Sequence, residues 1–551
     1  MDKIILTFGF AIGIASHLLY FIHGEHHMQA PIIFKFYALV TVAICFMGHT
    51  LTLLLLYLTY FLGLFTSIIS YRVFFHRLKQ FPGPPLAKIS KFWHVGRVLQ
   101  KDNYVLLEEF RIKYGNYVRT GPTELTVFDP DILQAIHGST TKCTKTDFCD
   151  VFLPSDSVVI TRDKDAHRWR RHVWKDAFTN QGKRPLKLET YLTFPALNDY
   201  ELRVQTHVLN LDQRISETNG KPFNATQLFE NFGFDVMGDL MFGKSFNLLT
   251  SGGPDSHYVS LLQKGLDILG PLRPVPWLFI LLGSIPGLKA DYNRLISWTS
   301  QFVQDRIHRK VEVPDLMSWL LLSFGKSEDA DQEVKYKLHY PTEEMHWLEG
   351  DALTAINAGS GTTSTTLVHI FSHLALQPSI AEKLRIELSS VPDQRSSNLA
   401  TLTYLNAVIT ETLRLEPPVP SGIYRLTPAS GLRLPNGTYL PGSVTIVAPP
   451  YNLQHLESCF PQPKEFIPER WIERSDLLLN KSAYAPFNLG LHTCLGKSLA
   501  WMELRAVTSQ LVMNYDVNFA DEKSEGVGPM RDCFTAVAQK LEVIFTPRKV
   551  G

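Results

Sequence analysis

A single cysteine in a loop punctuated by glycines carries the most distinctive chemistry in this sequence. Cys494 lies in the stretch Ala485 to Gly496, directly before a segment of helical character, Lys497 to Met513. A lone cysteine is usually a small buried hydrophobic residue. Here, however, Gly490 and Gly496 permit a close backbone approach, and the amides of a loop that enters a helix can stabilise a thiolate. An accessible thiolate of this kind is the ligand that an iron porphyrin requires.

Two further groups of polar residues stand in segments with helical periodicity. Glu411 and Arg414 are spaced i, i+3 within Leu402 to Leu415, where a surface ion pair contributes about a few tenths of a kcal/mol. Small and hydroxyl residues, which are poor helix formers, occupy Ala358 to Thr363 in the longer candidate helix Glu343 to Leu376. Taken alone, the first spacing occurs often by chance, and the second group indicates close helix packing.

The cysteine loop resembles the FxxGxxxCxG haem loop of the cytochrome P-450 superfamily, whose other motifs follow in the family's order. Phe487, Gly490, Cys494 and Gly496 match it position by position. The resemblance implies that Cys494 is the proximal thiolate ligand and that Phe487 packs against the haem near the sulfur. His492 stands where the family most often has an arginine that holds a haem propionate, and a histidine can still donate a hydrogen bond.

The acidic and basic pair resembles the family's ExxR motif, whose partner is an arginine in a later PxR segment. Glu411 and Arg414 match the first motif, and Arg470, in Pro468 to Trp471, matches the second. The resemblance implies that the three residues form a buried, bidentate charge network behind the haem loop. Their role would be structural.

The hydroxyl-rich helix resembles the family's AGx(D/E)T(T/S) motif, where the helix is opened locally beside the haem. By this resemblance Thr362 is the hydroxyl that hydrogen-bonds dioxygen and passes protons. Gly361 replaces the acid of the motif. Protons must then come from water or another polar group, or the chemistry departs from ordinary hydroxylation.

A basic segment and a later arginine resemble the family's propionate-binding positions. His167 and Arg171 match WxxxR with histidine in place of tryptophan, and Arg425 follows Pro417 to Gly422. Together with His492 they would give cationic donors for two carboxylates. Without the resemblance, the basic segment is more typical of a solvated helix face.

One competing motif matches by letter but not by context. Gly238 to Ser245 fits the phosphate-binding P-loop pattern, which needs a preceding strand and a compact loop. Phe229 to Met237 lacks the pattern of a strand, and the loop interior is bulky and apolar. We therefore reject a nucleotide-hydrolysing enzyme, and no GxSxG, HExxH or GxGxxG pattern appears in a supporting context.

Composition sets the class of protein. The 551 residues are 45% hydrophobic and 19% charged, which is typical of a globular chain. Lys and Arg number 54 against 53 Asp and Glu, so no global field indicates a nucleic-acid partner. The six cysteines are too scattered for a disulfide framework or a zinc site, which favours a reducing compartment.

The first 70 residues have the composition of membrane helices. Ile4 to Ile22, Ile32 to Met47 and Leu51 to Ile69 are apolar, and a spanning helix needs about 20 such residues. Two spans and three spans both remain open, whereas three successive runs without a cleavage pattern argue against a signal peptide. The basic flank Arg72 to Lys79 predicts a cytosolic body on the endoplasmic reticulum membrane. We therefore assign 1–71 as the anchor, 72–85 as a basic flank and proline-rich hinge, and 86–551 as the catalytic domain.

The body is expected to be mainly α with a minor β region, in the cytochrome P-450 fold. Its helices include the two segments named above, while Tyr117 to Val127 and Leu432 to Val447 alternate as β-hairpins do. By the resemblance, the substrate pocket is lined by Ala355, Gly359, Val419, Ile423 and Thr535.

The resemblance implies a haem-thiolate monooxygenase that binds haem b, iron protoporphyrin IX. Electrons would come from NADPH through NADPH-cytochrome P-450 reductase, with cytochrome b5 as an optional second donor and Lys497 as a candidate contact. The lipophilic substrate would belong to fungal secondary metabolism, of terpenoid or indole alkaloid type. Two alternatives stay open. One is desaturation, ring formation or rearrangement on the same fold, and the other is a non-catalytic haem-binding membrane protein, which the presence of Thr362 disfavours.

Overall fold

Helices make up most of the chain, and the longest of them runs through its centre. The computed structural model describes residues 2–46, 50–178, 196–251, 255–309, 311, 313–324 and 342–548. Three ends of predicted ranges, Met1, Met47 and Gly551, lie outside these residues. The α-helices are α1 (Asp2–Ser16), α2 (Ala30–Phe46), α3 (Thr50–Ser70), α4 (Pro85–Ile89), α5 (Phe92–Arg97), α6 (Asn103–Tyr114), α7 (Ile132–His137), α8 (Lys164–Ala177), α9 (Ala196–Ser216), α10 (Ala225–Phe242), α11 (Leu248–Ser251), α12 (Ser256–Leu272), α13 (Pro276–Gly283), α14 (Ala290–His308), α15 (Leu316–Phe324), α16 (Thr342–Leu376), α17 (Pro378–Leu388), α18 (Ser396–Leu399), α19 (Thr403–Leu415), α20 (Pro450–Gln454) and α21 (Lys497–Asn514).

The strands are short and form small sheets beside the helices. The largest sheet has the order β1-β2-β8-β5-β3, a second has the order β4-β12-β9, and β6-β7 and β10-β11 are hairpins. The strands are β1 (Tyr117–Gly121), β2 (Glu124–Val127), β3 (Thr144–Lys145), β4 (Phe223–Asn224), β5 (Arg425–Leu426), β6 (Leu432–Arg433), β7 (Tyr439–Leu440), β8 (Thr445–Val447), β9 (Tyr515–Phe519), β10 (Arg531–Cys533), β11 (Thr535–Val537) and β12 (Glu542–Pro547). The predicted fold class, mainly α with a minor β region, is confirmed.

Helix α16 occupies the core because its neighbours pack closely on several sides. It contacts α10, α14, α19 and α21. A Cβ at Gly233 of α10 would lie only 2.9 Å from the carbonyl oxygen of Ser360, so this approach requires glycine. The helix ends at Leu376, and Pro378 begins α17 at a position where its missing N–H costs nothing. The predicted helices over Glu343 to Leu376 and Leu402 to Leu415 are thus confirmed.

The P-loop-like stretch is the end of a helix. Gly238 to Phe242 belong to α10, and Gly243 is its left-handed C-cap with φ +61°. The N–H of Gly243 bonds the carbonyl of Asp239 at 2.6 Å, which closes the helix. The amides that a phosphate would need are therefore engaged within the helix, and the rejection of this motif is confirmed.

Two helices near the N-terminus are long and apolar enough to cross a membrane. They cover His27–Phe46 and Leu51–Phe75, and a shorter apolar helix covers Leu6–Phe21. A Cβ at Gly13 would lie 2.0 Å from the Tyr60 carbonyl oxygen, which makes this a close helix contact. One turn later, His17 Nδ1 lies 2.8 Å from Ser67 Oγ. The contacting residues advance in the same direction along both helices, from Gly13 and Tyr60 to His17 and Ser67, so α1 and α3 run parallel.

The loop between α1 and α2 contacts the globular body. Arg162 binds Glu25 with both terminal nitrogens, at 2.7 and 2.8 Å. The same guanidinium donates to Asp150 at 2.6 Å, and His27 Nε2 lies 2.7 Å from that carboxylate. The ring of Phe34 in α2 stacks on Trp277 with centroids 5.8 Å apart. These contacts fix the N-terminal segment to the body.

Candidate active site

The cysteine loop is held in place by backbone contacts. The N–H of Cys494 donates to the Phe487 carbonyl at 2.8 Å. Gly490 has φ +59°, and a Cβ there would lie 2.3 Å from the His137 carbonyl oxygen, so only glycine fits. Gly496 has an ordinary φ of −79°, and the nearest atom to a Cβ would be Cys494 Sγ at 4.0 Å. Glycine at 496 therefore keeps the space beside the sulfur clear.

The Cys494 side chain is accessible to solvent, although the surrounding protein partly desolvates its thiol. Burial raises the pKa of the thiol, whereas the Gly496 amide, Arg171 and Lys497 favour the thiolate. Low-dielectric surroundings disfavour a free thiolate. The nearby amide and cationic groups stabilise the thiolate once metal binding has removed its proton. This donor set fits the axial ligand of a haem iron.

Helix α16 presents an open face near its middle. Ala358 is exposed although this helix lies in the core, and no heavy atom stands within 4 Å of a Cβ at Gly361. The Thr362 hydroxyl donates to the Ala358 carbonyl at 2.7 Å. The helix is uninterrupted from Thr342 to Leu376. The expected local opening of the helix is therefore wrong for this structure. The Thr362 hydroxyl donates to the carbonyl one turn earlier, and the backbone hydrogen bonds of the helix continue through this segment.

Five basic side chains cluster near the cysteine loop. Arg171 donates to the Thr493 carbonyl at 2.7 Å, and the His167 and His492 rings lie 4.6 Å apart. Arg425 is 1% exposed, and its Nε has no hydrogen-bond partner among the described residues. Lys145 pairs with Arg425 across β3 and β5. Within the described part of the chain, no carboxylate lies within 4.0 Å of any of the five, so the cluster has the composition that an anion would require.

Burial and mutual repulsion set the charge of this basic cluster. Burial, with Arg425 and Lys145 nearby, lowers the pKa of His492 to about 2, and burial lowers that of His167 to about 4. Both imidazoles are therefore neutral at pH 7, and each still has one N–H that can donate a hydrogen bond. Burial also lowers the pKa of Lys145 to about 8 and that of Arg425 to about 10. Lys145, Arg171 and Arg425 carry the charge, which fits the two carboxylates of a haem.

Lys145 is a member of this cluster that the sequence did not indicate. It lies on a strand of two residues, without a motif around it. Its Nζ donates to the Val158 carbonyl at 3.1 Å. Only its strand pairing with Arg425 indicates that Lys145 belongs to the cluster, and that pairing follows from the sheet topology.

The structure brings Glu411, Arg414 and Arg470 together, and all three are fully buried. Arg414 binds both carboxylate oxygens of Glu411, through Nε at 2.9 Å and a terminal nitrogen at 2.8 Å. Arg470 Nε reaches Oε1 of Glu411 at 3.3 Å, and Trp471 Nε1 reaches Oε2 at 2.8 Å. One carboxylate thus ties α19 to the segment after α20.

The segments expected to line a substrate pocket meet in the structure. The Thr365 hydroxyl of α16 donates to the Ala536 carbonyl at 3.1 Å, and the Ala536 N–H donates to the Pro418 carbonyl at 2.8 Å. Of the predicted pocket residues, Ala355, Val419 and Ile423 are half-buried and Thr535 is buried. Gly359 faces α10, since a Cβ there would lie 2.4 Å from Met237 Sδ. Ala358 and Gly361 lie on the open face instead.

Comparison with known proteins decides the family. The cytochrome P-450 family model matches residues 82–540. The chain is 34% identical to the cytochrome P-450 monooxygenase notG' of Aspergillus versicolor, over 100% of this chain and 98% of the relative. It is also 34% identical to tryprostatin B 6-hydroxylase of Aspergillus fumigatus, over 98% of this chain and 95% of the relative. The chain belongs to the cytochrome P-450 family. The predicted family and the predicted monooxygenase class are confirmed.

This cytochrome P-450 also buries a carboxyl that sequence analysis missed. Glu503 of α21 is 1% exposed and contacts the Thr363 hydroxyl beside Thr362. Its Oε2 has no hydrogen-bond partner among the described residues. Burial raises the pKa of Glu503 to about 8, so the acid is mostly protonated at pH 7.

Replacing Glu503 by glutamine should change how the stability of this P-450 depends on pH. The folded pKa of about 8 lies above the ordinary value of 4.5, so the stability that protonated Glu503 contributes is fully present below pH 4.5 and is lost as the pH rises to 8. The loss is about 1.4 kcal/mol per pH unit at most. Because glutamine cannot ionise, Glu503→Gln should be more stable than wild type at pH 8. Urea unfolding at pH 5 and 8 measures the difference, and Glu382→Gln, at an exposed site, is the control.

Proposed function

We propose that this P-450 binds haem b with Cys494 as the proximal ligand and inserts one oxygen atom of dioxygen into a lipophilic small molecule. The observation that carries the proposal is an exposed thiol beside a partly buried basic cluster that has no carboxylate within 4.0 Å among the described residues. Phe487, Gly490 and Gly496 would shape the thiolate loop. The propionate donors would be Lys145, His167, Arg171, Arg425 and His492.

When bound, haem supplies the activation of dioxygen, and the thiolate supplies electron density that favours cleavage of the O–O bond. Thr362 is proposed as the catalytic hydroxyl on the open face of α16, where it would hold and pass protons. Gly361 provides no carboxyl next to it, so water on the open face would supply them. To donate a hydrogen bond to another group, the Thr362 hydroxyl would have to break its hydrogen bond to the Ala358 carbonyl. Glu411, Arg414 and Arg470 would hold the core behind the loop without entering the chemistry.

Electrons are proposed to come from NADPH through NADPH-cytochrome P-450 reductase, with cytochrome b5 as an optional second donor. Lys497 supports this because it is exposed beside the cysteine loop, with Nζ 5.8 Å from the Phe487 ring centroid. We place the protein in the endoplasmic reticulum membrane with the body, from residue 86, in the cytosol. The parallel packing of α1 and α3 supports three spans, because a helix between two parallel spans must cross in the opposite direction.

The substrate is proposed to be an indole alkaloid, with a terpenoid as the other class. The name of the Aspergillus fumigatus relative supports the first, since that enzyme is a hydroxylase of tryprostatin B. Apolar and half-buried residues at 355, 419 and 423 support a lipophilic molecule. Desaturation, ring formation or rearrangement is the second candidate function, and the glycine at position 361 favours it.

Membranes that contain the full chain, a reductase, NADPH and ¹⁸O₂ would test the proposal on a panel of indole alkaloids and terpenoids. A product that carries one ¹⁸O atom supports monooxygenation. A desaturated or cyclised product without the label supports the second candidate. If NADPH consumption never exceeds that of the reductase alone, the protein binds haem without turnover.

Replacing Arg425 by methionine should weaken haem retention by about 10- to 100-fold, since a hydrogen bond to a charged group contributes about 1.5–3 kcal/mol. The haem-to-protein ratio after gel filtration, and the rate of haem transfer to apomyoglobin, measure the effect. Arg433→Met, at an exposed site on β6, is the matched control. Equal retention in both variants would remove Arg425 from the propionate site.

A further inference from the structure

Arg273, immediately after α12, is a buried cation that no carboxylate of the described residues binds directly. Its side chain is 5% exposed, and one terminal nitrogen donates to the Gly422 carbonyl at 2.6 Å. Its Nε has no hydrogen-bond partner among the described residues. In the same described ranges, no carboxylate lies within 4.0 Å of its guanidinium. A buried charge in this state is costly unless a ligand completes it.

Three aromatic rings surround this guanidinium. Its Cζ lies 3.8 Å from the Tyr424 ring centroid, 5.0 Å from that of Phe534 and 5.5 Å from that of Phe148. Such contacts favour a cation over each ring. They leave Nε unsatisfied, however, because a ring face does not replace an in-plane acceptor. Phe534 has φ +82° at the tip of the β10–β11 hairpin, a strained conformation that places its ring in this cluster.

Asp267 of α12 and Asp532 of β10 both interact with other polar groups. Asp267 pairs with Lys101 at 2.7 Å and with Arg531. Asp532 accepts a hydrogen bond from the Ser421 hydroxyl and lines the same cavity as Arg273; burial raises the pKa of its carboxyl, while the nearby Arg273 charge lowers it. Asp532 therefore balances part of the Arg273 charge from beyond 4.0 Å, whereas no carboxylate of the described residues binds the guanidinium directly.

The guanidinium lines a small cavity between segments that are expected to contact substrate. His94, Asn103, Tyr424, Asp532 and Phe534 line it as well. Burial lowers the pKa of His94 to about 4, so this ring adds no charge at pH 7.

A glycine fixes the distance between Arg273 and the hairpin. A Cβ at Gly270 would lie 2.8 Å from the Cys533 Cα, so the end of α12 approaches β10 as closely as glycine permits. The backbone contact between Gly270 and Cys533 therefore sets the distance between Arg273 and Phe534, in addition to the conformation of the Arg273 side chain.

We infer that Arg273 is a specificity residue that binds an oxygen acceptor of the substrate, a carbonyl or a carboxylate, through its free Nε. The inference rests on the proposed function, because it assigns a polar contact to the lipophilic substrate of the same site. The substrate class is then a lipophilic molecule with at least one carbonyl or carboxylate group next to aromatic surface.

The test is a binding titration of the holoenzyme with three probes of similar shape: 2-naphthoate, methyl 2-naphthoate and 2-ethylnaphthalene. Calorimetry and the haem Soret shift report affinity in parallel. Wild type should bind at least one oxygen-bearing probe, and Arg273→Met should weaken that binding by about 10- to 100-fold. Binding of 2-ethylnaphthalene should not change. The carboxylate and ester arms show which acceptor the site prefers.

Arg531→Met, which removes a nearby charge that is already paired, is the matched control and should behave as wild type. Arg273→Lys keeps the positive charge and is used in place of the methionine variant if that variant does not fold. Equal affinity of wild type for the three probes, or no binding of any, overturns the inference. So does an Arg273→Met variant that loses haem while its probe binding is unchanged, since Arg273 would then belong to the propionate site. A wild type without a thiolate carbon monoxide band instead contradicts the proposed function.

Discussion

Replacing Cys494 by serine is expected to abolish the far-red-shifted Soret band of the reduced carbon monoxide complex and to reduce turnover to background. A serine hydroxyl stays protonated at neutral pH and does not supply the electron density of a thiolate. The loop should keep its shape, because the N–H of residue 494 still donates to the Phe487 carbonyl. The measurement is the carbon monoxide difference spectrum of both proteins at equal haem content.

Cys45→Ser is the matched control, since Cys45 is exposed on α2, far along the chain from the loop. It should retain the band at full intensity. A Cys494→Ser protein that keeps the band would show that another group ligates the iron. A wild type that incorporates haem but lacks the band would contradict the thiolate assignment itself.

Replacing Glu411 by glutamine is expected to cost about 3–5 kcal/mol of folding free energy, because it leaves two buried guanidinium groups without their counter-charge. Arg414 and Arg470 are both fully buried, and Glu411 is the carboxylate that binds them. An amide also offers one acceptor oxygen where the carboxylate offers two. The urea concentration at which half of the haem is released measures the loss.

Glu382→Gln provides the comparison for this prediction. Glu382 pairs with Arg385 at the surface, with its side chain 58% exposed, so the change should cost less than about 1 kcal/mol. Similar losses in the two variants would mean that the buried network contributes no more than an ordinary surface pair.

Much of the fold and part of the site could be predicted from the sequence because they depend on local patterns. The helix over Glu343 to Leu376 ends at a proline, and the loop around Cys494 is defined by glycines at fixed spacings. Glu411 and Arg414 lie one helical turn apart. Each of these features is contained in fewer than about 40 consecutive residues, where periodicity and steric rules operate.

The remaining features depend on contacts between distant segments. Lys145 joins the basic cluster only because β3 pairs with β5. Arg273 shares a cavity with Tyr424 and Phe534 only because α12 packs against β10. Glu503 looks like a surface helix residue until α21 packs on α16. No single-sequence rule encodes such pairings, since they are set by topology and by which charges neighbours have already engaged.

The contact between the α1–α2 loop and the body matters for protein production. Glu25 and His27 reach Arg162 and Asp150, and Asp150 belongs to the 3-10 segment Asp147–Phe152, which also carries Phe148. Truncation before residue 82, a simple route to a soluble enzyme, would remove both residues while leaving the haem domain whole. The shortened enzyme would lose the contacts that hold the Asp147–Phe152 segment, which carries the Phe148 ring next to Arg273. Substrate preferences measured on it would then describe a looser pocket than that of the full-length chain.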